Sequence, residues 1–266
     1  MLAKKVGLVM GIANERSVAH AVAAFAAKND AVLVLTYPND TIKKRVDNAA
    51  KNMGQASTFY CDVLDEDSIS KLFEHIKEKY GKLDFVVHSI AFSDKYELKG
   101  KYIDTSLKNF LNAMHVSCYS FTAIAKHALP LMQDHGGSMI TLSYYGSQKV
   151  IPHYNVMGPC KAALECSVKY LAVDMGKYNI RVNAISAGPI KTLAASAIDR
   201  FSCILRWNKH NSPLKHNTTT EEVAKCAAYL ASDLSSGTTG QVLYVDSGYN
   251  IVGMCATDLP EGMVNL

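Results

Sequence analysis

Between positions 144 and 161 the chain carries five residues whose types and spacing could do chemistry: Tyr144, Tyr145, Lys149, Tyr154 and Lys161. A phenol near an ammonium group can stabilise an oxygen that gains negative charge, while the cation biases the local field toward anionic states. Two rival pairs are available. Tyr145 and Lys149 follow a Tyr-x3-Lys spacing, whereas Tyr154 and Lys161 follow Tyr-x6-Lys, with Tyr144 ten residues before Tyr154. The choice between them decides which reaction the chain performs.

The elements that must position these groups are readable as an alternation. Strand-like runs fall at 6–10, 31–36, 58–61, 85–88, 138–143, 181–185 and 241–245. Runs such as AVLVL and FVVH suit strands buried on both faces of a parallel sheet. Helical patterns fall between them at 17–28, 39–52, 65–80, 106–132, 160–177 and 220–231, some opening on caps such as Asp65 and Thr220. The alternation predicts an α/β fold: a single-domain, Rossmann-like, doubly wound sheet of seven parallel strands with helices on both faces. The stretch 193–219 breaks the rhythm and holds the only tryptophan, Trp207. It reads as a lid over a binding site.

Bulk properties exclude several classes. At 266 residues, 48% apolar and 20% charged, the composition is that of a soluble globular domain. A net charge of +4 without a long Lys/Arg run points to no nucleic-acid partner. The seven cysteines lack C-x-x-C or zinc-like spacing and read as reduced core thiols. No carboxylate–histidine cluster suggests a metal, and His88, His115 and His127 sit in apolar patterns as core or interface residues. Lys4-Lys5 before an apolar run imitates a signal peptide, but the run leads into a glycine turn and reads as a first strand. No apolar stretch approaches the ~20 residues of a membrane span, so a soluble, cytoplasmic protein is expected.

In a doubly wound sheet, ligands bind outside the carboxyl ends of the strands. The first strand-to-helix junction carries Gly11, Ile12, Ala13, Ser17 and Val18. It lacks a full G-x-G-x-x-G, but Gly11 permits a tight turn, Ser17 can cap the helix, and the helix amino end offers N–H groups to a phosphate. The second strand ends at Thr36-Tyr37-Pro38-Asn39, with neither the acid that binds a ribose 2′-hydroxyl nor an arginine for a 2′-phosphate. NADH is therefore expected over NADPH, with NADPH left open. Asp62 and Val63 end the third strand, where Asp62 could accept the adenine amino group. Ser89, Ile90, Ala91 and Phe92 follow the fourth strand, and 186–192 form a rigid turn after the sixth. Together these strand ends signal a dinucleotide site.

Context then separates the two pairs. Lys149 is followed by Val150-Ile151-Pro152, and the residue before a proline is steered away from helical geometry. The ketone-reductase pattern that uses the short spacing also wants a serine about thirteen residues before its tyrosine, where this chain has Met132. Lys161, by contrast, opens a helical pattern through Leu164, Val168, Leu171 and Met175. A helix spanning both residues would put Tyr154 and Lys161 on one side, but Pro159 either kinks it or belongs to its first turn.

On these residues the chain resembles the NADH-dependent bacterial enoyl-acyl-carrier-protein reductases, a divergent branch of the short-chain dehydrogenase/reductase superfamily. The matching residues are Gly11-x5-Ser17, Ser89-Ile-Ala-Phe92, Leu142-Ser-Tyr144, Ile151-Pro-x-Tyr154-Asn-Val-Met-Gly158-x2-Lys161 and the run from Arg181 to Ala195. Departures are Pro159, where the family has a helix former, and Pro38, where a polar or basic residue is common. The resemblance implies transfer of hydride from NADH to the β-carbon of a trans-2-enoyl thioester, in the last step of fatty-acid elongation. It implies three catalytic residues: Tyr154 at the thioester oxygen, Lys161 on the nicotinamide-ribose hydroxyls, and Tyr144 lining the pocket and assisting protonation. It also carries Ile190, Lys191, Thr192, Leu193 and Ala194 into the cofactor site, and Phe92, Ser93, Met157, Ile198 and Phe201 to the substrate. The implied partner is an acidic acyl carrier protein, which Arg200, Arg206, Lys209 and Lys215 around the lid could attract. The implied assembly is a homotetramer. Two alternatives stay open at this point: a 3-oxoacyl-type ketone reductase using Tyr145 and Lys149, and a non-catalytic nucleotide-binding regulator.

Overall fold

A computed structural model describes residues 1–255. The strands are β1 (Val6–Met10), β2 (Val32–Tyr37), β3 (Ala56–Tyr60), β4 (Phe85–His88), β5 (Gly137–Ser143), β6 (Ile180–Ala187) and β7 (Val242–Val245). All pair in parallel, in the order β3-β2-β1-β4-β5-β6-β7. The order reverses between β1 and β4, so connections leave to opposite sides there and a crevice opens above the carboxyl ends.

Helices cover both faces because strand side chains alternate. Along β1, Leu8 and Met10 pack with Leu72, Ile76, Phe121 and Leu164, while Val9 packs with Ala19, Val22, Val223 and Leu230. The first layer is α3 (Glu66–Tyr80), α5 (Ser120–Met132) and α6 (Met157–Gly176); the second is α1 (Val18–Lys28), α2 (Asp40–Lys51) and α8 (Thr220–Ala231).

Several local features differ from the sequence pattern. The helical stretch 106–132 is divided into α4 (Leu107–Met114), a π-helical turn (His115–Tyr119) and α5. One widened turn leaves the apolar spacing nearly intact, so periodicity does not reveal it. The irregular stretch 193–219 contains α7 (Phe201–Asn211), which buries Asn208 and Asn211 and starts behind Arg200 in the left-handed region. Buried amides in place of apolar residues hide its helical pattern. Helix α8 is capped by Thr219 rather than Thr220, in a reciprocal capping box with Glu222.

Of the seven free cysteines, Cys61, Cys118 and Cys160 are buried, Cys203 and Cys226 are partly covered, and Cys166 and Cys255 are exposed. The core-thiol reading therefore holds for three. No described helix is long and apolar enough to cross a membrane.

Candidate active site

Above the crevice lies a cavity of about 770 Å³, within the roughly 300–1,000 Å³ of small-ligand and cofactor sites. The β1–α1 junction contributes Gly11, Ile12, Ala13, Ser17 and Val18, and the end of β2 contributes Pro38. Ser89 to Ser93 line it after β4, and Ile190, Thr192, Leu193 and Ala194 after β6. Tyr144, Tyr154, Met157, Lys161, Ile198 and Phe201 complete the predicted wall.

Three predicted residues stand outside that wall. Asp62 uses its carboxylate in its own turn, accepting the Leu64 N–H at 3.0 Å, and Val63 is buried in the core. Both follow β3, an edge strand that ends level with β2 but lies two strands away from the crevice between β1 and β4. Lys191 is exposed between two wall residues.

Gly11 is required where it stands. Its φ is 98°, and a Cβ there would lie 2.0 Å from the Ser89 carbonyl oxygen, so the loops after β1 and β4 can touch only without a side chain. Ser17 occupies the N-cap of α1, but its hydroxyl donates to the Asn14 carbonyl at 2.5 Å and leaves the helix uncapped. The first turn of α1 also lacks an acid. Helices α2, α3, α4 and α8 all have side-chain caps. The positive end of α1 is thus open toward the cavity, the arrangement that suits a diphosphate. Asn39 is spent capping α2, and Arg45 crosses to donate to the Ala13 carbonyl at 3.1 Å.

At the other end, Lys161 lies in the second turn of α6, with Pro159 in the first turn, where no intrahelical N–H is needed. Tyr154 stands in the turn before the helix rather than on it. Lys161 is buried, and its Nζ donates to the Leu142 carbonyl at 2.7 Å. Burial draws its pKa down to about 8. Tyr144 and Tyr154 meet edge to face, ring centroids 5.0 Å apart. Burial pushes both phenols above their usual range, so both stay protonated at neutral pH. A Cβ on Gly146 would come within 2.4 Å of the Tyr154 ring, so the glycine makes room for it.

The short pair is elsewhere. Tyr145 donates its hydroxyl to the Asn250 carbonyl at 3.2 Å and packs edge-on against Tyr244 and Tyr249. Lys149 is exposed in the following turn, and neither residue lines the cavity.

His88 is fully buried between the Thr141 and Ser120 hydroxyls; burial, then the Lys161 charge, pushes its pKa down to about 3, so it stays neutral. His127 pairs with Glu66 at 3.0 Å. Two contributors had escaped the sequence. The wall continues past Ser93 through Asp94, Lys95, Tyr96 and Leu98. Buried Glu165, one turn after Lys161, accepts the hydroxyls of Ser143 and Ser147, which bracket Tyr144 and Tyr145 in the chain. Its i,i+4 spacing from Lys161 was the available signal. Among the described residues no group of three His, Cys, Asp or Glu side chains is placed to hold a metal.

A family model described as enoyl-(acyl carrier protein) reductase matches residues 11–250. The chain belongs to the enoyl-acyl-carrier-protein reductase family. Within it, the chain is 56% identical over 257 residues to enoyl-[acyl-carrier-protein] reductase [NADH] 1 of Rhizobium meliloti, spanning 97% of this chain and 94% of that relative. It is 44% identical to the NADH reductase of Aquifex aeolicus, over 96% of this chain and 94% of the other. Among solved reductases, the Anaplasma phagocytophilum enzyme, crystallised with NAD, superposes with a TM-score of 0.92 at 57% identity. That match covers 96% of this chain and 97% of the other. The Bacillus cereus reductase, crystallised with NADP+ and an indole naphthyridinone, superposes with a TM-score of 0.93 at 43% identity, over 95% and 99% of the two chains.

Proposed function

We propose that the chain reduces trans-2-enoyl thioesters carried on acyl carrier protein, with NADH as reductant, completing the fatty-acid elongation cycle. The observation that carries the residue assignment is that Tyr154, Tyr144 and Lys161 line one cavity with the uncapped end of α1. Gly11 to Val18, Ser89 to Ala91, Lys161 and Ile190 to Ala194 would hold the cofactor. When bound, NADH supplies the hydride that the β-carbon of the substrate accepts.

Negative charge then builds on the thioester oxygen as an enolate, which is discharged when the α-carbon takes a proton from solvent, giving the saturated thioester. A phenol kept protonated by burial donates a hydrogen bond to that oxygen, the role of Tyr154. Lys161, anchored on the Leu142 carbonyl, would hold the ribose hydroxyls with its remaining N–H groups, and its positive charge would lower the energy of the anionic state. Tyr144, packed on Tyr154, closes the substrate pocket with Met157, Ile198 and Phe201. The stretch 193–219, with α7 in it, serves as the lid; Trp207 ties it down through a 3.0 Å hydrogen bond to the Tyr249 hydroxyl. Arg200, Arg206, Lys209 and Lys215 draw in the acidic carrier. NADH is preferred over NADPH in binding, because Arg45 commits one N–H to the Ala13 carbonyl and no arginine ends β2 to receive a 2′-phosphate. The chain acts as a cytoplasmic homotetramer; exposed Leu107 and Leu111 on α4, and Tyr170 and Val173 on α6, suit subunit contacts.

The test follows NADH and NADPH oxidation with crotonyl-CoA and acetoacetyl-CoA, for wild type and Tyr154→Phe. Crotonyl-CoA reduction is expected to fall about 100-fold in Tyr154→Phe. Reduction of the ketone but not the enoyl thioester would overturn the reading.

A further inference from the structure

Tyr154 is set in a turn whose two neighbours both have left-handed backbones, His153 at φ 63° and Asn155 at φ 42°. Asparagine tolerates that region better than most side chains. The Asn155 carbonyl accepts the Gly158 N–H at 3.0 Å as α6 opens. Its side chain reaches in another direction. Nδ2 donates toward three backbone carbonyls, Glu97 at 3.2 Å, Leu98 at 3.3 Å and Gly100 at 2.9 Å. An amide nitrogen has two hydrogens, so one of them is shared.

The clamped segment is the far part of the cavity wall. Leu98 lines the cavity and is buried in one apolar cluster with Tyr154, Val156 and Met157. The near part of that wall is held independently: Ser117 fastens Phe92, and Asn109 fastens Asp94. At the far part, Glu97 also bonds to Ser106, but among the described residues Asn155 makes the only hydrogen bonds from the segment to the turn that carries Tyr154.

We infer that Asn155 is a positioning residue: its backbone sets the Tyr154 turn, and its amide locks the Leu98 wall to that turn. The place of the phenol and the width of the acyl pocket are then fixed together. This rests on the reading of Tyr154 as the group that serves the thioester oxygen.

The two roles separate by substitution. Asn155→Gly keeps the left-handed backbone and removes the clamp; Asn155→Ala removes both; Asn155→Asp keeps the shape and turns a carboxylate toward three carbonyls. With crotonyl-CoA at saturating NADH, Asn155→Gly is expected to raise KM about tenfold with kcat within about twofold. Asn155→Asp raises KM further. Asn155→Ala adds a loss in kcat of about tenfold. NADH affinity, followed by fluorescence titration, stays at the wild-type value in the glycine and aspartate variants. The inference is overturned if Asn155→Gly has wild-type KM, loses kcat as Asn155→Ala does, or loses NADH affinity in parallel. If the alanine variant does not fold, the glycine and aspartate variants still decide. Tyr154→Phe is assayed beside them: unchanged kcat there defeats the underlying role of Tyr154, whatever the Asn155 variants do.

Discussion

Tyr144 and Tyr145 are neighbours in the chain and belong to different parts of the molecule. The first faces the cavity against Tyr154; the second points into an aromatic cluster with Tyr244 and Tyr249. Tyr144 is still extended, with φ −150° and ψ 148°, so the two side chains depart in opposite directions. The lysines divide likewise: Lys161 is buried against the Leu142 carbonyl and Lys149 is exposed. The short spacing thus leaves both its residues away from the cavity, while the longer one puts both on its wall, because α6 returns Lys161 beneath the end of β5. Chemistry here follows from where elements end.

The contrast can be broken most directly at the lysines. Lys161→Ala is expected to lower kcat/KM for the enoyl thioester about 100-fold, whereas Lys149→Ala combined with Tyr145→Phe stays within about twofold of wild type. Equal losses would dissolve the distinction. The pH dependence sharpens it. Lys161 titrates near 8 in the fold against 10.5 in a free lysine. The folded value is the lower one, so the folded chain binds fewer protons between the two. Its contribution to stability therefore improves as pH rises across that window, and the full cost of the buried cation is present below it. The charge disappears over the same range. NADH binding by the free protein should weaken as pH rises through about 8, measured by fluorescence titration; a flat profile to the alkaline limit would contradict the role given to Lys161.

A smaller effect is expected at Gly146. An alanine Cβ would lie 2.4 and 2.7 Å from Tyr154 ring atoms. The ring must move, lowering kcat about tenfold and stability by about 1–3 kcal/mol, read from steady-state kinetics and thermal melting. Wild-type kcat would mean that Tyr154 tolerates displacement. The smallest effect is at the opposite face of the sheet. Thr219→Ala removes the capping box of α8 and should cost about 1 kcal/mol in denaturant melts with kinetics unchanged, which marks that helix end as structural.

Much of this was legible in one dimension. Apolar runs of strand length between helical repeats dictate a parallel sheet buried on both faces, because such runs can be satisfied only by helices on each side. The lone Gly11 before an alanine-rich helix locates the crevice, and Pro152 removes Lys149 from any helix, since both effects act through the local backbone. What only the tertiary structure decided depends on segments far apart in the chain. Asn155 meets Glu97, Leu98 and Gly100 across more than fifty residues, and Glu165 meets Ser143 and Ser147 from another element. Asp62 and Val63 fall outside the wall because β3 lies at the sheet edge, beyond β2, and Asp62 turns its carboxylate onto Leu64. The π-helical turn adds no visible mark to the repeat, yet it brings Ser117 onto Phe92. Periodicity and local backbone preference report which elements form; hydrogen bonds between elements determine where their ends meet, and the site is made of those ends.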